Sequence, residues 1–181
     1  MSPPVVAWVA NVKRLKRPKL FVELARACSD LPARFLLVGG RAPRNAGLRR
    51  QVMRLSSRLN NLEVRWAVPF EQTNEVLSAA SLLVNTSTSE GFPNTFVQAW
   101  LRQTPVVSLA LDPDGVLTRD RIGICSGSFR RMVEDVRRLL SDHALRTEMG
   151  KRARAYASAE HDLTEKLKQY ADVFDSLQGD C

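Results

Sequence analysis

Residues 81–109 read SLLVNTSTSEGFPNTFVQAWLRQTPVVSL. An apolar run, Ser81 to Asn85, opens into a small, hydroxyl-rich loop, Thr86 to Asn94; a helical stretch follows from about Thr95 to Arg102, and Pro105 to Leu109 is apolar again. Neither apolar run alternates with polar residues. That is the mark of a strand covered on both faces, and such strands build parallel sheets. Strand, loop, helix and strand in this order make one right-handed crossover unit.

The same unit recurs on both sides. Toward the N-terminus, Val5 to Ala10 is a first buried strand, a basic loop runs from Asn11 to Pro18, and Pro18 stands where a helix can begin. Leu20, Phe21, Leu24, Ala25 and Cys28 then recur at helical spacing. Phe35 to Val38 is a second strand ending at Gly39-Gly40, and Leu48, Val52, Leu55 and Leu59 mark one face of a helix over about 46–59. Leu62 to Val64 is a weak third strand, Glu71 to Ala80 a helix, and Ile122 to Cys125 a short sixth strand. From Phe129 the pattern is helical, through Leu145 to Tyr156 and Leu163 to Leu177. The expected fold is α/β: a Rossmann-like, doubly wound parallel sheet of about six strands with helices on both faces and extra C-terminal helices.

Composition agrees with one globular domain. In 181 residues, 44% are hydrophobic and 25% charged, which excludes disordered and collagen-like chains. The net charge of +8 favours anionic partners. Cys28, Cys125 and Cys181 form no Cys-x-x-Cys pair, so neither a zinc site nor a disulfide framework is expected, and a reducing cytosol suits them. No apolar run approaches the roughly 20 residues that span a bilayer, and Met1 to Pro4 lacks the features of a signal peptide. The expected location is cytoplasmic.

In doubly wound folds a ligand sits outside the carboxyl ends of the strands, where strand order reverses. The loops after strands one, four and five are therefore the ones to read. The first carries Lys13, Arg14, Lys16 and Arg17, with Lys19 just beyond; these cations suit a diphosphate, and serve equally well as a solvated loop. The fourth-strand loop sets Ser87 to Thr95 at a helix entrance, where free backbone N–H groups would hold an anion. Glu90 within it could accept hydrogen bonds from sugar hydroxyls, or simply cap a turn. Asp112-Pro113-Asp114-Gly115 reads as a turn, with a divalent metal site as the less favoured alternative. His143 and His161, in the helical C-terminal third, read as surface or capping residues. There is no G-x-G-x-x-G, P-loop or G-x-S-x-G motif, which argues against dinucleotide dehydrogenases, P-loop enzymes and serine hydrolases.

The segments VAWVANVKRLKRPKLFVELA, FLLVGG, LLVNTSTSEGFPNTFVQAWLRQTPVVSL and RRMVEDVRRLLSDHALRTEMGKRARAY together resemble the C-terminal, nucleotide-sugar-binding domain of family 4 glycosyltransferases of group 1 type, retaining enzymes of the GT-B fold. The KRP and EGFPNTFVQAW segments are similar to those of transferases that build bacterial surface polysaccharides. The resemblance implies that residues 1–181 form one donor-binding domain, with the acceptor domain absent. It also implies that a nucleotide sugar, UDP-, GDP- or ADP-linked, is the substrate, that no metal or other cofactor is used, and that the isolated chain is inactive. Lys16 falls on the family's diphosphate-binding Lys, while Asn11 stands where the family carries Arg, so that Lys13 or Arg14 would supply the missing charge. Glu90 would hold donor-sugar hydroxyls, and Gln98, in place of a second Glu, would face the ribose. Gly91, Phe92, Asn94 and Thr95 would offer backbone N–H groups, and the turn at Ala67, Val68 and Pro69 would pass beside the base.

Two other classes compete with this one. A stand-alone nucleotide-sugar binding module without turnover shares every feature above. A nucleic-acid-binding domain has only the charge in its favour, without aromatic residues interleaved on a basic face. Arg50, Arg54 and Arg58, four residues apart on the helix over about 46–59, form a basic face that reads first as a merely solvated helix face, with an anionic membrane surface and peripheral attachment at its inner side as the less favoured alternative.

Overall fold

The computed structural model describes residues 3–40, 45–162 and 167. Apart from Leu167, the helical reading of Leu163 to Leu177 lies outside the described residues, as does Cys181. Six strands, β1 (Val5–Ala10), β2 (Arg34–Gly39), β3 (Leu62–Trp66), β4 (Leu82–Asn85), β5 (Val106–Ser108) and β6 (Gly123–Cys125), form one sheet in the order β3-β2-β1-β4-β5-β6. Every neighbouring pair is parallel. Among the described residues seven α-helices alternate with and follow the strands: α1 (Pro18–Ala27), α2 (Ala46–Ser56), α3 (Phe70–Ala79), α4 (Asn94–Trp100), α5 (Val116–Arg119), α6 (Phe129–Ser141) and α7 (His143–Glu160).

The pleat explains why the central strands carry no polar alternation. Val6 and Trp8 of β1, with Phe35 and Leu37 of β2, point toward Phe21 and Leu24 of α1, Val52 of α2 and Met132 and Val136 of α6. Their neighbours Ala7, Leu36 and Val38 point the other way, toward Val76 of α3. On that second face, further along the sheet, Leu83 and Val106 pack with Phe96 and Trp100 of α4, Leu117 of α5 and Ala153 of α7. The middle residues of the central strands, Val6 to Trp8 and Phe35 to Val38, are therefore buried whichever way they point, and exposure returns only at the strand ends. β3 is different because it lies at the edge and pairs only with β2. Its exposed Glu63 and Arg65 form ion pairs, Glu63 also reaching Arg34. Charges on an edge discourage pairing with other chains, and they also weaken the strand signal in the sequence.

α2 ends at Ser56, so Arg58 and Leu59 lie beyond it and only Arg50 and Arg54 share its exposed face. The helix also exposes Met53, an apolar residue between the arginines, whose sulfur accepts the Trp66 indole N–H at 3.2 Å. The face expected to be basic thus also carries an apolar residue. Ser56 is buried with its hydroxyl donated back to the Met53 carbonyl, a local bond that competes with the helix and marks its end.

α7 crosses the sheet end close to the turn after α4, and Gly150 makes the approach possible: a Cβ there would run into the carbonyl oxygen of Gln103. In an isolated helix Gly to Ala gains up to about 1 kcal/mol. Here the clash is with backbone, and overpacking of about 1–3 kcal/mol outweighs that gain. Gly150→Ala is expected to lower stability in a urea titration; a stabilised variant would show that α7 shifts without cost.

Candidate functional site

The chain lays down β1, β2 and β3 outward in one direction and then returns to place β4 on the other side of β1. The order therefore reverses between β1 and β4, and the loops leaving those two strands diverge around a crevice. A cleft of about 310 Å³ opens there, lined by Val9, Ala10, Asn11 and Lys16 from the first strand and its loop, and by Glu90 through Thr95 from the fourth.

The two walls are fixed to one another. Thr86, fully buried at the end of β4, accepts the Trp8 indole N–H at 2.9 Å and donates to the Lys16 carbonyl at 2.6 Å. The Thr88 N–H donates to the Leu15 carbonyl at 3.0 Å. Asn85 accepts the Ser87 N–H on its side-chain oxygen at 2.8 Å and donates its amide N–H to Glu90 at 2.9 Å. These bonds correct one expectation: the N–H groups of Ser87 and Thr88 are occupied within the protein and are not free to hold an anion. They serve instead to set the positions of Lys16 and Glu90.

Lys16 ends a short 3-10 turn, Arg14–Lys16, and its ammonium pairs directly with the Glu90 carboxylate. Both side chains are partly shielded from water, at 17% and 15% exposure. Burial pushes the Glu90 carboxyl up, but the hydrogen bonds from Lys16, Ser87 and Asn85 and the Lys16 charge outweigh it and hold the group below its ordinary range. An ionised carboxylate that only accepts, beside an ammonium that only donates, is the complement of a ligand carrying both hydroxyls and phosphate oxygens.

The remaining expected site residues divide. Asn11, Gly91, Phe92, Asn94 and Thr95 line the cleft with Lys16 and Glu90. Asn11 lies against Gly40, filling the space that a side chain at residue 40 would take. Gln98 is half-buried on α4 and is not among the residues lining this cleft. Val68 packs against the apolar cluster of Ala7, Leu36, Val38 and Val76, next to Ala67, which holds a positive φ of 55°. Lys13 is exposed outside the cleft, and Arg14 lines a different cavity.

The Asp112–Gly115 segment is a capping turn: the Asp112 carboxylate accepts the Leu117 N–H at 2.7 Å and the Thr118 hydroxyl at 2.7 Å. Among the described residues no group of three or more His, Cys, Asp or Glu is arranged to hold a metal ion. None of the described helices is long and apolar enough to cross a membrane.

The sequence reading missed the aromatic support behind Phe92. His161 caps the C-terminal end of α7, and its ring lies 5.1 Å from Phe92 and 5.8 Å from Tyr156. Trp100 completes the cluster, edge-on to Phe92 at 6.0 Å and to Tyr156 at 5.5 Å. His143 sits exposed at the start of the same helix. The last turn of α7 thereby packs behind the loop that carries Glu90, although about seventy residues separate them in the chain.

A sequence profile described as Glycosyl transferases group 1 matches residues 3–142, most of the chain. The chain belongs to this family. A comparison with curated proteins gives no match. Solved structures similar to this group 1 chain share its fold. Sucrose-phosphate synthase from Thermosynechococcus elongatus superposes with a TM-score of 0.82 at 22% identity, over 99% of this chain and 46% of that one. HepE from Anabaena, solved in complex with UDP and glucose, gives 0.83 at 19% identity, over 97% of this chain and 49% of that one. The C-terminal domain of the group 1 family protein LpcC from Francisella tularensis gives 0.74 at 15% identity, over 89% and 88% of the two chains. The chain thus spans about half the length of the first two structures.

Proposed function

We propose that residues 1–181 form the donor-binding domain of a retaining glycosyltransferase of family 4 type, the C-terminal half of a GT-B enzyme. Its acceptor domain would be supplied by sequence outside this chain. The substrate is a nucleotide sugar, and the sugar passes to a polysaccharide or lipid-linked acceptor of a bacterial surface. The observation that carries this reading is the Lys16–Glu90 pair, held in a cleft at the point where the strand order reverses.

In this reading Lys16 meets the diphosphate, Glu90 takes the donor-sugar hydroxyls and Gln98 reaches the ribose. Gly91, Phe92, Asn94 and Thr95 border the diphosphate and sugar, and Asn11 lends a neutral hydrogen bond in place of a charge. Departure of the nucleoside diphosphate is eased by positive charge already in place, which costs no reorganisation as the bond breaks. The reaction on this account needs no metal. Support comes from the family match, and from structures of the same fold, one of which holds UDP and glucose.

Calorimetry tests the orientation of the donor. Glu90→Gln is expected to weaken binding of a UDP-, GDP- or ADP-sugar by about tenfold, as for loss of a charged hydrogen-bond acceptor, and to leave the bare nucleoside diphosphate nearly unaffected. Gln98→Ala should weaken both. The reverse pattern would turn the donor end for end. Tight nucleotide-sugar binding with no transfer, even when the matching acceptor domain is supplied, would make the chain a binding module.

We place the protein in the cytosol against the inner face of the membrane, through the exposed Arg50, Arg54 and Met53 of α2 and Arg58 just after it. At about 1 kcal/mol per basic residue near an anionic surface, removing all three charges by substitution with Gln should abolish co-sedimentation with anionic vesicles at low salt. Retention that ignores lipid charge would reject this placement.

A further inference from the structure

The basic run after β1 is divided by the fold. Lys16 turns into the donor cleft, whereas Arg14, Arg17 and Lys19 line a separate cavity of about 690 Å³, roughly twice the size of that cleft, with no lining residue in common. The opposite wall is the start of α2, where Asn45, Gly47 and Gln51 face the cavity. Among the described residues no carboxylate lines it. Arg14, Arg17 and Lys19 enter none of the ion pairs among the described residues, and none of their side chains is engaged in a described hydrogen bond.

Three like charges in one concave site repel one another, and a loose loop would let them separate into water. This segment is held. Arg17 adopts a left-handed conformation with φ of 49°, unusual for a residue with a Cβ, and its carbonyl accepts both the Leu20 N–H at 2.9 Å and the Thr86 hydroxyl at 3.2 Å. Pro18 follows, buried, at the first position of α1. Thr86 is the same residue that fixes Lys16, so one buried hydroxyl holds both branches of the basic run.

The cavity also gathers two helix starts. Neither α1, of ten residues, nor α2, of eleven, has an acidic residue in its first turn or a side-chain cap on its first N–H groups. Gly47 in that first turn of α2 has open space where a side chain would stand, leaving the backbone accessible. Two arginines with planar donor forks, a lysine and two positive helix ends border one volume, and no described residue lining it is negative. Such an arrangement matches a doubly or triply charged phosphate group better than a carboxylate.

We infer that the cavity between α1 and α2 is a second anion site, built for a phosphate or diphosphate ester other than the donor nucleotide. It stands whether or not the Lys16–Glu90 cleft holds a nucleotide sugar. Leu20 and Leu48, which complete the lining, give the ester an apolar wall beside its phosphate.

The test uses the full 181-residue chain, isotopically labelled, titrated with inorganic pyrophosphate and followed by amide NMR. The expected result is saturating shifts at Leu20, Gly47, Leu48 and Gln51. R14Q/R17Q/K19Q should weaken the apparent affinity at these amides about tenfold or more, as expected for loss of several charge-assisted bonds, while K16Q leaves them in place. Because Arg17 holds an unusual conformation, R14Q/K19Q is run beside the triple variant and should lose part of the same affinity. Shifts confined to residues 91–95, or affinity within about twofold of the parent for both variants, would overturn the inference. Vesicles of phosphatidylcholine with and without phosphatidic acid separate the sources of the phosphate. Binding to the acidic vesicles that R14Q/R17Q/K19Q abolishes assigns a lipid headgroup, and pyrophosphate binding without vesicle binding assigns a soluble phosphate ester.

Discussion

Trp8→Ala is expected to cost about 3–5 kcal/mol of folding stability, the range for removing a fully buried aromatic side chain. Trp8 lies in β1, the third strand of the sheet order, and is 2% exposed. Its ring sits 6.5 Å from that of Phe21 on α1, which in turn stands 5.8 Å from Phe35 on β2. The void left by Ala would lie between the sheet and α1, where backbone on both sides resists collapse. For a domain of this length each kcal/mol moves Tm by about 2–4 °C, so a fall of roughly 6–20 °C should appear on thermal unfolding. A drop below about 3 °C would mean that α1 relaxes onto the sheet. The substitution also removes the N–H that Thr86 accepts, and Thr86 holds the Lys16 and Arg17 carbonyls. Trp8→Phe keeps much of the packing and loses that bond, at about 1 kcal/mol, and so reads the contribution of the bond that steadies the first loop.

Lys16→Ala is expected to weaken nucleoside diphosphate binding by about 1.5–3 kcal/mol, roughly 10- to 150-fold in Kd, with free nucleoside nearly indifferent. Equal losses for the two ligands in calorimetry would show that Lys16 supports the fold and not the phosphate. The ion pair adds a second consequence. Without Lys16, the Glu90 carboxylate keeps its burial and only its Asn85 and Ser87 partners, so the variant also loses stability. Lys16→Ala combined with Glu90→Gln removes the stranded charge; it should recover stability without recovering diphosphate affinity. Acid titration checks the same pair. The Glu90 carboxyl lies below its ordinary range in the folded chain, so the unfolded chain binds the proton more readily. Its contribution to stability is therefore complete above the unfolded pKa and is lost as pH falls toward the folded value. Glu90→Gln should flatten that limb of the stability profile, and an unchanged limb would show that other carboxylates account for it.

Much of this architecture is written locally. The β-branched and apolar runs at residues 5–10, 35–38, 82–85 and 106–108 are strands in the structure, because a strand buried on both faces needs no polar positions, and that demand is visible in six residues or fewer. Pro18 begins α1 for an equally local reason: its fixed φ suits the first helical position and it has no N–H to leave unpaired. The alternation of strands and helices then limits the topology, and with it the loops where a site can form. Helix ends were less legible. The arginine spacing continues to Arg58, yet α2 stops at Ser56, whose buried hydroxyl turns back on its own backbone.

What lay beyond the sequence is every relation across the sheet. Lys16 and Glu90 stand in different loops, and only the placement of β4 beside β1 brings the ammonium onto the carboxylate. The loop from Ser87 to Thr95 reads as an anion cradle because its backbone N–H groups look free, but the fold supplies those of Ser87 and Thr88 with partners in the chain itself. The basic run reads as one cluster, and the left-handed turn at Arg17 divides it between two cavities. His161 looks remote until the close approach of α7 at Gly150 carries its ring to Phe92. Periodicity reports which face of an element is buried. It carries no information on which element covers that face, because partner choice is set by crossovers and close approaches that span most of the chain.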